Sequence, residues 1–320
     1  MKVSIIGGKG FIGTRLTEVL SQNKDIEVLI LDKDSATEKL DNGIQVNILD
    51  KAGLKEALKG TDVVINLAAE HKDNVSPISL YYDVNVDGAK VLAEVCNELN
   101  INKLIFTSTV AVYGLNKENP DENHPIDPFN HYGKSKWQAE EVYREWHKEN
   151  AETRSLAIIR PTVVFGEKNR GNVYNLLKQI AVGRFLRIGN GKNKKSMAYV
   201  GNVVGFIEYL TAEEKTGLNT YNYVDKPDLS MNDLVSLCEK HINKKIPKVK
   251  VPLFIGMLGG YCFDVLSFIL RREFPISSVR VKKFCATTQF DASKVVHSTG
   301  YKTPFTLEEG LERTLKSEFM

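Results

Sequence analysis

The chain predicts an α/β fold: a doubly wound parallel sheet of the Rossmann type, with a smaller mixed α/β lobe towards the C-terminus. Three observations predict it. Near-continuous apolar runs of strand length alternate with segments at helical spacing as far as Arg160. A glycine-rich turn, Gly7-Gly8-Lys9-Gly10-Phe11-Ile12-Gly13, follows the first of those runs directly. Beyond residue 168 the alternation gives way to Lys/Gly-rich loops and proline-marked turns.

Taken in order, Lys2–Ile6 reads as a short buried strand and Phe11–Leu20 as an amphipathic helix. Strands are expected at Glu27–Leu31 and Ile44–Ile48, then a helix at Leu54–Leu58 and a strand at Asp62–Ala68. A long amphipathic helix is expected over Val84–Leu99, followed by a strand at Lys103–Ser108, a helix at Tyr132–Trp146 and a sixth strand at Ser155–Arg160. Right-handed crossovers between such strands leave helices on both faces. Residues 1–168 thus form a dinucleotide-binding domain, to which the chain returns near 196–212 through the apolar spacing of Val203, Val204, Ile207 and Leu210. Residues 169–320 form the second lobe, with helices near Val173–Val182 and Met231–His241, a loop at Gly189–Lys195 and turns at Pro227, Pro247, Pro252, Pro275 and Pro304.

Composition bounds the function. The chain has 320 residues, and Lys+Arg 43 against Asp+Glu 40 gives a formal charge of only +3, so no basic field points to nucleic acid. Cys96, Cys238, Cys262 and Cys285 form no Cys-x-x-Cys pair, and the histidines never adopt metal-ligand spacing; neither a zinc site nor a disulfide framework is expected. His71, after the fourth strand, reads as a loop residue. The run after Lys2 ends in glycines and reads as a strand rather than a signal peptide, giving a reducing, cytoplasmic expectation. Val251–Leu270 is apolar enough to approach a bilayer crossing in length, but Asp264, Gly256, Gly259 and Gly260 interrupt it. The expectation is a buried or partner-facing helix, not a spanning one, with peripheral contact at a membrane left open.

The glycine turn carries the first chemical signal. Its glycines permit backbone angles and a close approach that a pyrophosphate requires, and the following helix aims free N–H groups at that phosphate. Asp32, at the end of the second strand, can accept both ribose hydroxyls of NAD and would repel a 2′-phosphate, so NADP is disfavoured; Lys33 beside it softens that preference. The second signal is Tyr132 and Lys136, four apart on one helix face. An adjacent ammonium lowers the phenol, whose ordinary pKa is about 10. Tyr132 could then exchange a proton with a substrate oxygen as hydride passes between carbon and nicotinamide. Ser108 and Thr109 arrive at the carboxyl end of a buried strand, where open parallel sheets bind ligands; Thr109 is the choice for the chemistry and Ser108 for substrate contact.

With these residues in place the chain resembles the extended short-chain dehydrogenases/reductases, in their nucleotide-sugar epimerase/dehydratase branch, over nearly all its length. The likeness rests on GGKGFIG (7–13), NLAAEH (66–71), NVDGAK (85–90), FTSTVAVYG (106–114), YGKSK (132–136) and RPTVVFGE (160–167). It implies cofactor contacts at Gly7, Gly10, Gly13, Asp32, Leu67, Ala68, Asn85, Tyr132 and Lys136, with Asn47 and Ile48 near adenine. Phe11, Ile12, Lys33, Ala69, Thr107 and Pro161 complete the candidate cofactor set. It also implies a triad of Thr109, Tyr132 and Lys136. Val110 and Ala111 stand where dehydratases carry Asp-Glu, and neither can transfer a proton, which argues against elimination. Ala111 also replaces a decarboxylase-type Glu, and Val163 stands where the family often has Asn. Asn172 and Lys195 fall where relatives hold the nucleotide diphosphate, and the cationic loop 189–195 suits one; Arg184, Arg187 and Arg280 are further candidates. The expected activity is NAD-dependent oxidation and reduction at C4 of a nucleotide-linked sugar, foremost a UDP-sugar 4-epimerase. A 4-keto-sugar reductase, a 3β-hydroxysteroid-type dehydrogenase and an idle NAD-sensing protein remain as alternatives. A homodimer through the helices at Val84–Leu99 and Tyr132–Trp146 is implied by resemblance.

Overall fold

The structure is a computed structural model; it describes residues 1–72, 75–246, 250–270, 274 and 277–320, apart from the side chains of residues 279, 280 and 283. The first half runs β1 (Lys2–Ile6), α1 (Phe11–Leu20), β2 (Glu27–Asp32), β3 (Gly43–Gln45), α2 (Lys51–Ala57), β4 (Val63–Asn66), α3 (Ser79–Tyr82), α4 (Gly88–Glu98), β5 (Lys103–Thr107), α5 (His131–Lys148) and β6 (Ser155–Pro161). The second half runs β7 (Val163–Phe165), α6 (Asn172–Ala181), β8 (Arg187–Ile188), β9 (Lys194–Tyr199), α7 (Val200–Ala212), β10 (Gly217–Tyr223), β11 (Asp225–Ser230) and α8 (Met231–Ile242). β12 (Lys250–Val251), α9 (Leu253–Leu270), α10 (Ser278–Cys285), α11 (Ser293–Thr299) and α12 (Leu307–Phe319) close it.

Seven strands form one parallel sheet in the order β10-β6-β5-β4-β1-β2-β3. Strand side chains alternate between faces, and both faces are covered. Val3, Ile5, Val63, Ile65, Ile105 and Ile159 pack beneath α1 and α7, against Leu16, Leu20, Val203 and Ile207. Ile6, Val64, Leu104, Phe106 and Ile158 pack on the other face against Leu54, Leu92, Tyr143 and Trp146 of α2, α4 and α5. The continuous apolar runs in the sequence are two half-faces interleaved.

Three expectations change. The sheet closes not on the sixth strand but on β10, so the return of the chain near 196–212 extends to Tyr223. The expected strand Ile44–Ile48 is cut to Gly43–Gln45, because Ile48 turns inward against Gly88. The expected helix Val84–Leu99 begins as a π-type turn, Asp83–Asp87, before α4. That widened turn contains buried Asn85, which makes bonds outside the helix.

In the C-terminal part, β9 runs parallel to β7 and antiparallel to β11, and α8 and α12 each start on a capping box, Ser230/Asp233 and Thr306/Glu309. Pro227 lies inside β11 rather than in a turn, and the expected loop 189–195 yields its last two residues to β9. Pro247 and Pro275 lie outside the described residues. Of the two expectations for α9, buried or partner-facing, the buried one fails: only Gly260 in it is buried, so it is not a core helix.

Candidate active site

The glycine turn is dictated by contact. Gly7 sits at φ +78°, and a Cβ there would meet the Ala68 backbone nitrogen at 2.7 Å. A Cβ on Gly13 would lie 2.6 Å from the Gly7 carbonyl oxygen and the Gly8 Cα, so α1 can cross the turn only as glycine. Gly7 and Gly8 donate N–H bonds to the Leu31 carbonyl, tying the turn to the end of β2. There the Asp32 carboxylate accepts the backbone N–H groups of Lys9 (3.1 Å) and Asp34 (3.1 Å), which fixes it beside the turn. The first turn of α1, which contains Phe11, Ile12 and Gly13, has Gly10 as its N-cap, no side-chain cap and no acidic residue. Its positive end is therefore left for an anion. Lys33 is exposed, and its backbone carbonyl accepts from the Gln45 side chain.

Leu67, Ala68 and Ala69 run on from β4 along the same sheet edge, half-buried, with Ala68 N–H held by the Asn66 side chain (3.0 Å). Asn47 is exposed and caps its own turn through Leu49 N–H, while Ile48 is buried. Asn85 bridges two segments of the protein. Its carbonyl accepts Glu70 N–H (2.8 Å), and its amide donates to the Glu70 carbonyl (3.1 Å) and to Ser135 Oγ (2.9 Å). It clamps the segment after β4 to α5 and keeps one acceptor lone pair in reserve. Thr107 is buried and donates to the Asn66 carbonyl, and Pro161 is the buried end of β6.

Opposite the turn, α5 starts on an Asn130 cap that accepts Gly133 N–H (2.8 Å). Gly133 lets the helix come close to the segment after β5: a Cβ would stand 2.7 Å from the Ala111 carbonyl oxygen. That approach brings Tyr132 to Thr109, and the two hydrogen-bond. Burial pushes the Tyr132 phenol up to about 12, and the Thr109 bond pulls it partly back. Lys136 is buried, with Nζ 4.2 Å from the Phe106 ring centroid; burial lowers its ammonium to about 7, against the raising influence of Glu140. The expected acidified phenol is thus not what the chain alone sets up. Burial penalises phenolate and ammonium alike, and Lys136 follows Tyr132 by one turn of α5.

The sequence reading missed what stands behind this pair. Glu140, one turn beyond Lys136, is fully buried and accepts from Arg160 Nε (2.9 Å) and Nη2 (2.6 Å) and from Ser108 Oγ (2.5 Å). Arg160 also donates to Tyr113 OH (2.7 Å), which donates to Asn222 Oδ1 (2.7 Å). Ser108, expected at substrate, is committed to Glu140. The i, i+4 spacing of Lys136 and Glu140 and an arginine ending an apolar strand were the available signals.

Of the candidate diphosphate residues, Asn172 opens α6 and is exposed, whereas Lys195 lies half-buried on β9, its ammonium lowered to about 8 by burial. Arg187 on β8 has a buried Nε with no hydrogen-bond partner among the described residues. Arg280 falls within α10, but its side chain lies outside the described residues. His71 is exposed, at 3.5 Å from the Ala69 carbonyl. Among the described residues no three His, Cys, Asp or Glu side chains gather as a metal set.

A parallel sheet headed by a glycine turn, with a Tyr–Lys helix across its carboxyl edge, defines the class: an NAD-dependent enzyme of the extended short-chain dehydrogenase/reductase type. The model of the NAD dependent epimerase/dehydratase family matches residues 3–223, and the chain belongs to that family. It is 58% identical over 318 residues to the N-acetyl-alpha-D-glucosaminyl-diphospho-ditrans,octacis-undecaprenol 4-epimerase of Escherichia coli O157:H7, covering 99% of this chain and 95% of that one. It is 27% identical to a decarboxylating sterol-4-alpha-carboxylate 3-dehydrogenase of Saccharomyces cerevisiae, over 98% of this chain and 96% of that one. The fold matches a UDP-glucuronic acid 4-epimerase from Bacillus cereus in complex with NAD at TM-score 0.77 and 22% identity, covering 99% and 98% of the two chains.

Proposed function

We propose that this chain interconverts the C4 epimers of an N-acetylhexosamine joined through a diphosphate to a polyprenol. The observation that carries this reading is the 58% identity, across 99% of the chain, to an epimerase of that description. The expected nucleotide-linked substrate shares the sugar C4, the diphosphate and the chemistry; the two carriers differ only beyond the second phosphate. The apolar surface of α9, absent from the needs of a uridine site, favours the lipid. Val110 and Ala111, which have no titratable side chain, favour epimerisation over elimination or decarboxylation.

In this reading the α1 N-terminus and Gly7, Gly10 and Gly13 cradle the pyrophosphate of NAD, and Asp32 receives adenosine ribose hydroxyls. The cofactor, when bound, supplies a reversible hydride acceptor at the sugar carbon. Tyr132 removes the proton of the C4 hydroxyl and returns it after the sugar has presented its other face. Thr109 holds the same oxygen through its hydroxyl. Lys136, one turn along α5, supplies the positive charge that favours the phenolate form of Tyr132. Lys195, Asn172 and Arg187 of the second lobe hold the diphosphate, Arg187 with a buried N–H that has no partner among the described residues.

The test offers the purified chain N-acetylglucosaminyl-diphosphoryl polyprenol in detergent and UDP-N-acetylglucosamine side by side. The reading expects 4-epimer from the lipid-linked sugar without net consumption of added nicotinamide. Turnover of the UDP-sugar alone would restore the nucleotide carrier, and stoichiometric cofactor consumption would make the enzyme a reductase.

A further inference from the structure

α9 carries two opposed faces. Gly256, Gly260 and Asp264, one turn apart, look into the protein: a Cβ on Gly256 would touch Ile188 at 2.6 Å and one on Gly260 would touch the Ser278 backbone at 2.7 Å. The Asp264 carboxylate accepts Ser278 N–H at 3.3 Å. The opposite stripe, Phe254, Leu258, Tyr261, Val265 and Phe268, repeats at intervals of four and three and is exposed among the described residues. These residues are 73%, 63%, 56%, 59% and 86% exposed. Large apolar side chains in such a contiguous stripe mark a surface that meets something other than water.

The surroundings say what. In sequence, segments 184–195 and 240–283 hold 15 Lys/Arg and 2 Asp/Glu, whereas the rest of the chain holds 28 and 38. Exposed Lys250 on β12, which leads into α9, and exposed Lys282 on α10, which packs on it, bring that basic excess to the helix. A second copy docked through the same face would set this cationic flank against itself. An anionic bilayer accepts both the stripe and its flank. A spanning arrangement is opposed by the glycine face, which already packs on protein along the first three turns, and by Asp264.

We propose that the outer stripe of α9 lies in the headgroup layer of an anionic lipid bilayer, parallel to the membrane plane, with exposed Lys250 and Lys282 beside it against the lipid phosphates. As the means by which the site reaches a lipid-carried sugar, this rests on the function proposed above; as a statement of where the helix sits, it stands on the surface alone. The test therefore uses no sugar substrate. The full chain is floated with vesicles of phosphatidylcholine containing phosphatidylglycerol, and with phosphatidylcholine alone, and its mass in solution is measured by light scattering.

Binding to the anionic vesicles is expected, at least tenfold weaker for Phe254→Ser/Phe268→Ser and for Lys250→Gln/Lys282→Gln, with release by carbonate washing. All four positions are exposed, and NAD binding should be unchanged in both variants. Equal binding by wild type and the phenylalanine variant, or resistance to carbonate, would overturn the proposal. So would a dimer that the phenylalanine variant dissolves while wild type ignores both vesicles. Vesicle binding combined with turnover of the UDP-sugar alone would refute the carrier and leave the docking standing.

Discussion

Replacing Glu140 by Gln tests the buried network behind the catalytic pair. The carboxylate accepts two bonds from Arg160, one from Ser108 and a longer one from Arg144 (3.3 Å), and is wholly enclosed. Gln keeps the volume but turns one acceptor into a donor, which must then face an Arg160 N–H or the Ser108 hydroxyl. It also leaves the Arg160 guanidinium, 2% exposed, without a counter-charge. Breaking a buried pair from one side costs about 3–5 kcal/mol. For a chain of this length, unfolding entropy of roughly 2 cal/mol/K per residue converts that into a Tm lower by about 5–8 °C. Differential scanning calorimetry reads the shift. Glu140→Leu/Arg160→Met, which removes both charges, should recover most of the loss, because the paired ions gain little over apolar packing. A Glu140→Gln shift worth under ~1 kcal/mol, or a double variant as damaged as two independent losses, would refute the reasoning.

Other substitutions probe other parts of the account. Tyr132→Phe should lower kcat by about 10³-fold or more while NAD affinity, read by fluorescence titration, stays within about twofold. Gly13→Ala should weaken NAD binding at least tenfold, since its Cβ would sit 2.6 Å from the Gly7 carbonyl oxygen and displace the turn. Asp225 is buried and its carboxyl is raised to about 6. The folded chain therefore binds a proton that the unfolded chain, titrating near 3.8, has lost, and stability falls as pH rises from about 4 to about 6. Asp225→Asn should flatten that fall and stabilise the protein by about 1–2 kcal/mol above pH 6, in urea titrations at fixed pH.

The main sheet was legible because its strands are buried on both faces: Lys2–Ile6, Lys103–Ser108 and Ser155–Arg160 read as near-continuous apolar runs, and periodicity needs no partner to be seen. β10 escaped notice because Asn219, Thr220 and Asn222 break its apolar run, although Thr220 and Asn222 are buried. The glycine turn and the Tyr132–Lys136 spacing survived into three dimensions because both are local. Glu140 did not stand out, since a carboxylate on a helix most often faces water, and its buried partners Arg160 on β6 and Ser108 just after β5 are distant in sequence. Asn85 showed the reverse: its motif pointed to the cofactor, while tertiary packing gives most of its hydrogen bonds to Glu70 and Ser135. For α9, apolarity said that the segment leaves bulk water but not what replaces it; the exposed stripe removes the buried alternative and leaves the partner-facing one.

The most direct measurement of the proposed chemistry follows the hydrogen on the sugar carbon. N-acetylglucosaminyl-diphosphoryl polyprenol carrying deuterium at C4 is incubated with the enzyme in ordinary water, and the product is read by NMR and mass spectrometry. The account predicts the C4 epimer with its deuterium still on C4, because the hydride leaves and returns without meeting solvent while Tyr132 exchanges only the oxygen-bound proton. Loss of the label to water, or inversion with an unlabelled C4, would contradict it.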